Sequence, residues 1–195
     1  MKQQMPSARD QPKVNWTALV TLTDSRWLTD TTILAYNVLL RKQFPTIIFV
    51  DLKSNLRATT LQQASVIVGY MNLTDNHWIA AKLDMTKNLA AIADSLYESF
   101  SHEHAAVFER LQTMADKGGH NKRLQHFTVE VPNQRNTNDC GVFACLFQLF
   151  MAQSDITQNI KLTYDSKPTA RIMRKRIFTD LQAGKITPLI LKDEQ

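Results

Sequence analysis

A chain of 195 residues, 44% hydrophobic and 21% charged, can bury a substantial core and fits one domain better than two. Its net charge of +5 permits a nucleic-acid or acidic-protein partner without establishing one. The opening MKQQMPSARDQPK lacks the apolar stretch of a signal peptide, and no later apolar run reaches bilayer length, so neither a secretory leader nor a membrane span is expected.

Residues 1–14 read as a flexible tail, with folding expected from Trp16 and one domain over 15–195. At Trp27-Leu28-Thr29-Asp30 a Thr or Asp N-cap precedes Ile33, Leu34, Tyr36, Leu39 and Leu40, spaced for a helix buried along one side and ended by Pro45. Thr46 to Leu52 and Ser65 to Leu73 are almost continuously apolar, which predicts two central strands.

His77 to Leu83 and Asn88 to Asp94 are strands joined by Asp84-Met85-Thr86-Lys87, short enough for a hairpin. A symmetric loop pairs Leu83 with Asn88 and therefore sets His77 opposite Asp94, on one face and within carboxylate–imidazole reach. A polar helix follows to Asp116 and breaks at Lys117-Gly118-Gly119-His120. Leu124 to Val131 alternates like an edge strand. His102 and His104 are two apart, which puts them on different faces of that helix. With no CxxC pair either, no metal site is expected.

The chain then turns from the polar run Asn133 to Asp139 into the apolar segment Gly141 to Met151, with Cys140 at the junction. Asn138 or Asp139 is a candidate N-cap. Cys140 falls in the first turn, where the positive end of the helix dipole favours thiolate. Cys145 lies inside the apolar run and reads as packing. On one helix the two cysteines are about 8 Å apart by helix geometry, too far for a disulfide, so reduced thiols are expected. The basic run Arg171 to Arg176 is interleaved with Ile172, Met173 and Ile177 and reads as the solvated face of an amphipathic helix, giving an α+β chain overall.

Taken together, His77-Trp78, Asp94, Gln134 and Asp139-Cys140-Gly141 resemble the catalytic signature of the ubiquitin-like-protein-specific cysteine proteases, the SUMO-protease family of the adenovirus-protease clan. Trp27-Leu28-Thr29-Asp30 is similar to that family's WLND segment, with threonine in place of asparagine. The resemblance implies a papain-like α+β fold, with a central mixed sheet flanked by helices, and cleavage after the Gly-Gly tail of a modifier such as SUMO, ubiquitin or NEDD8. Carried over by position, Cys140 is the nucleophile, His77 the base, Asp94 its orienter and Gln134 an oxyanion-hole donor. Trp27 and Trp78 would cover a channel that admits only glycines, and Asp30 would lie near the modifier's tail. A monomer without cofactor or nucleic acid is expected, and the reduced thiols with no evident signal peptide point to cytoplasm or nucleus, or to a host cytosol if the chain is an exported effector. An acetyltransferase effector of the same clan, using a similar Cys, His and acid set to transfer an acyl group, is the competing reading, and a catalytically idle modifier-binding module is a third. Trp78 after the histidine and the WLxD segment favour the protease.

Overall fold

The computed structural model describes residues 16–23, 26–96, 101–131, 133–154 and 166–187. The expected tail over 1–14 lies outside the described residues. In chain order the elements are α1 (Trp16–Thr23), α2 (Asp30–Gln43), β1 (Ile47–Asp51), α3 (Ala58–Gln62), β2 (Val66–Leu73), β3 (His77–Asp84), β4 (Leu89–Ala93), α4 (His102–Lys117), β5 (Gln125–Thr128), α5 (Cys140–Gln153) and α6 (Ser166–Ala183). The strands form one mixed sheet in the order β1-β2-β3-β4-β5, parallel at its two outer pairs and antiparallel within.

Helices cover both faces. On one, Val68, Tyr70, Trp78, Ala80, Ala91 and Ala93 pack against α2, α5 and α6. The alanines of β3 and β4 leave room for Phe143 and Phe147, and burying each such ring stabilises the fold by about 1.5–3 kcal/mol. On the other face Ile67, Ile79, Ala81, Leu83 and Ile92 meet Leu61 of α3 and Val107, Phe108 and Leu111 of α4. β3 lies at the centre with every residue buried. Among the described residues no helix is long and apolar enough to cross a membrane.

Local signals account for the element ends. Thr29 caps α2 by accepting from the Thr32 N–H at 3.4 Å, and Ser101 caps α4 through a reciprocal bond with His104. Two expectations change. β1 is an edge strand and not a central one, with Ile47 and Phe49 packed on the α2 side and Ile48 and Val50 on the α3 and α4 side, while Arg41 donates to the Phe49 carbonyl at 2.6 and 3.0 Å. The hairpin register also differs: Leu83 pairs with Ala90, where the symmetric loop had paired it with Asn88, a shift of two residues.

The cause lies in the turn. Asp84 accepts from the Thr86 and Lys87 N–H groups at 3.1 and 3.2 Å, and Asn88 adopts a left-handed φ of 57°, which asparagine tolerates better than most residues. The turn therefore occupies 85–88, and the ladder ends at Ala80 with Ala93. His77 is not directly opposite Asp94. A shift of two preserves faces, however, so the two side chains remain diagonal neighbours on the α4 side of the sheet.

Candidate active site

The polar run before α5 folds onto itself before the helix begins. Asn136 Oδ1 accepts from the Asn138 and Asp139 N–H groups at 3.1 and 3.0 Å, and Asn136 Nδ2 donates to Asp139 Oδ2 at 2.7 Å. Asp139 is the N-cap by position, but its carboxylate makes no bond to the helix. Arg174 of α6 grips it instead, Nε and Nη2 donating to Oδ1 at 2.9 and 2.6 Å. The same guanidinium donates to the carbonyls of Thr21, Arg26 and Asn138 at 2.8, 2.7 and 3.2 Å. Removing one partner of a buried pair costs about 3–5 kcal/mol, so the start of α5 depends strongly on α6.

This corrects the solvated reading of the basic helix. Arg171, Ile172 and Lys175 are exposed, but Arg174 is buried and Arg176 lies near Asp180 at 3.6 Å. Arg174 stands four residues after buried Ala170 and three before buried Ile177, so it shares their inward face. That spacing was present in the sequence and marks the side chain as inward-facing, though not its partner.

His77 opens β3 at the end of a tight turn, its N–H donating to Asn72 Oδ1 at 3.2 Å. Its ring is buried. Nε2 lies 2.6 Å from Asp94 Oδ1, which leaves Nδ1 to serve the Cys140 sulfur, with which the ring is also hydrogen-bonded. Burial draws the imidazole pKa down. The hydrogen bonds and charges of Asp94 and Cys140 outweigh that and raise it from 6.5 to about 9. Asp94 itself is held at about 2: burial opposes ionisation, but bonds from His104 and His77, the charge of His77 and the Leu96 N–H prevail. Cys145 is fully buried, and that burial pushes its thiol well above the ordinary range.

Gln134 is brought to the same corner through Ser95, the neighbour of Asp94. Its backbone N–H donates to the Ser95 carbonyl at 2.6 Å, and the Ser95 hydroxyl donates to Gln134 Oε1 at 2.7 Å. Nε2 donates to the Asn136 carbonyl at 2.6 Å, and because that carbonyl can only accept, the orientation of the amide is fixed.

The tryptophans differ. Trp27 is 43% exposed, whereas Trp78 is 5% exposed, with its indole edge-on to Tyr70 at a centroid separation of 5.5 Å. A Cβ on Gly141 would lie 3.0 Å from Leu28 Cβ and 3.3 Å from Trp78 Cδ1. The glycine after Cys140 therefore lets the helix start approach the segments carrying both indoles. Asp30 is exposed in the first turn of α2, close enough for its charge to act on Tyr70. Three contributors were not singled out from sequence as parts of this corner: Ser95, His104 and Arg174. Each acts through a neighbour, which is why no short motif discloses them.

A mixed sheet carrying an imidazole and a carboxylate at one end, with a thiol-bearing helix packed on its centre, is the frame of the papain-like cysteine proteases. The C-terminal catalytic domain of the Ulp1 protease family matches residues 41–184, and the chain belongs to that family. It is 23% identical to ubiquitin-like-specific protease 1 of Saccharomyces cerevisiae, over 85% of this chain but only 29% of that protein. The chain thus spans less than a third of that relative's length.

Solved structures share the fold. The C-terminal Ulp1 protease domain in complex with Smt3, the yeast ortholog of SUMO, superposes with a TM-score of 0.72 at 21% identity, covering 87% of this chain and 83% of that one. The Ulp1-like SUMO protease catalytic domain of Chaetomium thermophilum gives 0.56 at 18% identity, covering 82% and 73%.

Proposed function

We propose that the chain is a cysteine peptidase that cleaves after the C-terminal Gly-Gly of a ubiquitin-like modifier, either maturing it or releasing it from a lysine, with a SUMO-type modifier preferred. The carrying observation is the buried His77–Asp94 bond of 2.6 Å, made by a ring also bonded to Cys140 at a helix start. Family membership supports the reaction class, and the net charge of +5 supports an acidic modifier over near-neutral ubiquitin. Turnover of SUMO, ubiquitin and NEDD8 fused through their tails to a reporter tests this. SUMO should be cut fastest, and cleavage of none of the three would overturn the reading.

In this reading the Cys140 sulfur attacks the terminal glycine carbonyl, aided by His77, which holds the thiol proton as imidazolium. The oxyanion is met by the Cys140 backbone N–H at the head of α5 and by the second Nε2 hydrogen of Gln134. His77 then gives its proton to the leaving amine, which departs and leaves a thioester. Finally, the neutral ring takes a proton from water as that water attacks, releasing the modifier's carboxylate. Asp94 holds the ring and carries the opposing charge throughout.

A pH dependence follows. Imidazolium is needed to protonate the amine, and it is present below and lost above the raised His77 pKa. kcat/KM should therefore fall on the alkaline side with an apparent pKa near 9. A profile that already declines near 6.5 would remove the raised value from the mechanism.

Gln134→Ala should lower kcat by roughly 10²–10³ with little change in KM, as expected for one lost oxyanion donor. Steady-state kinetics on the reporter fusion measures it. An unchanged kcat would confine Gln134 to organising its loop.

Specificity is assigned to Trp27, with the buried Trp78 supporting the channel and Asp30 beside the tail. An exposed indole closing over an extended tail leaves room for glycine hydrogens but not for a Cβ. Trp27→Ala should slow cutting of the Gly-Gly tail while reducing the penalty for Ala-Gly. The ratio of kcat/KM for the two tails, with wild type and variant, decides it. An unaltered ratio would make Trp27 a packing residue.

A further inference from the structure

Asp94 is held from two sides. Its Oδ1 faces His77 Nε2 at 2.6 Å and accepts the Leu96 N–H at 2.8 Å, while its Oδ2 meets a second imidazole, His104 Nε2, at 2.9 Å. His104 is fully buried at the third helical position of α4. Its Nδ1 accepts the Ser101 N–H at 3.3 Å, completing a capping box with histidine where glutamate or glutamine is usual. A nitrogen that accepts carries no proton, and an ionised carboxylate offers only lone pairs. His104 is thereby fixed as the neutral ring with hydrogen on Nε2.

We propose that His104 is a positioning residue for the reaction, a neutral imidazole whose Nε2–H holds the second oxygen of Asp94 and sets the carboxylate plane toward His77. This rests on the reading of Asp94 as the group that orients the base. A carboxylate bonded through one oxygen can swing about its Cβ–Cγ bond. Bonds at both oxygens remove that freedom, and the neutral donor leaves the negative charge intact to face the His77 imidazolium. The helix cap transmits the constraint, so the N-terminus of α4 is part of what aligns the base.

Two substitutions separate positioning from capping. His104→Gln keeps a donor where Nε2 lies. His104→Asn keeps an acceptor for the Ser101 N–H but does not reach Asp94. On a SUMO reporter fusion, the Asn variant should remain folded with a melting temperature lowered by the unmatched Asp94 oxygen, and, assayed where it is fully folded, lose about 10- to 100-fold in kcat at unchanged KM, the scale of one charge-assisted hydrogen bond. The Gln variant should stay within about threefold of wild type.

Long-range ¹H–¹⁵N imidazole correlations on the wild-type chain at neutral pH should show His104 as the Nε2–H tautomer. An Nδ1–H or doubly protonated His104 would overturn the proposal, as would wild-type kcat in the Asn variant or equal losses in both variants. A wild type that cleaves no modifier would instead sink the peptidase reading, and the ¹⁵N shifts would still decide whether His104 holds Asp94.

Discussion

Cys140→Ala should abolish cleavage of the modifier's tail while leaving modifier binding measurable by calorimetry. In the proposed mechanism the sulfur is the atom that bonds to the substrate carbon, and among the described residues no other group in this corner offers a replacement. Cys145, five residues on within the apolar body of α5, has its thiol pushed well above the ordinary range by burial, so it supplies no thiolate. Docking of a folded modifier spreads over an interface of roughly 800 Å² per partner, in which one thiol counts for little. Cys140 is 1% exposed and Ala is smaller, so the fold should tolerate the change. Activity that survives in Cys140→Ala and disappears in Cys145→Ala would reverse the assignment.

Asp94→Asn should lower kcat by roughly 10³–10⁴, the scale seen when the acid of a catalytic triad is made an amide. The side chain keeps its size. Its two imidazole contacts, at 2.6 and 2.9 Å, both rely on accepting oxygens, and one must now face an N–H. If that is His77, its tautomer reverses and Nδ1 carries the hydrogen toward Cys140, so the ring can no longer take the thiol proton. The imidazolium also loses the charge opposing it. Leaving one donor unmatched should destabilise the fold by about 1–3 kcal/mol, a change that a thermal melt separates from the rate. Wild-type kcat in a folded Asp94→Asn would remove the carboxylate from the mechanism.

Local patterns disclosed the frame because its elements obey local rules. Thr29 before an apolar-periodic run marked α2, and the polar-to-apolar switch at Cys140 marked α5. The hairpin was legible as a hairpin, but its register was not, since that depends on Asn88 adopting a left-handed conformation and on Asp84 bonding two turn amides. The pairing of His77 with Asp94 could be anticipated nonetheless, because an even shift leaves both side chains on one face.

What escaped was long-range. Arg174 reaches Asp139 across 35 positions of sequence, and Ser95 reaches Gln134 across 39. His104 was weighed only as a metal ligand, where its spacing from His102 counted against it. Its partner is a carboxylate on a different element. Such partners are set by how elements pack, a level that periodicity and capping signals do not encode.

The most direct test of Cys140 as the nucleophile of a Gly-Gly-specific peptidase is reaction with a SUMO whose terminal glycine carries an electrophile in place of the scissile bond. The product should be one covalent adduct of enzyme and modifier, mapped by peptide mass spectrometry to Cys140, absent from Cys140→Ala and strongly slowed in Asp94→Asn. An adduct at Cys145, or none with SUMO, ubiquitin or NEDD8 from a chain shown to be folded, would contradict the account.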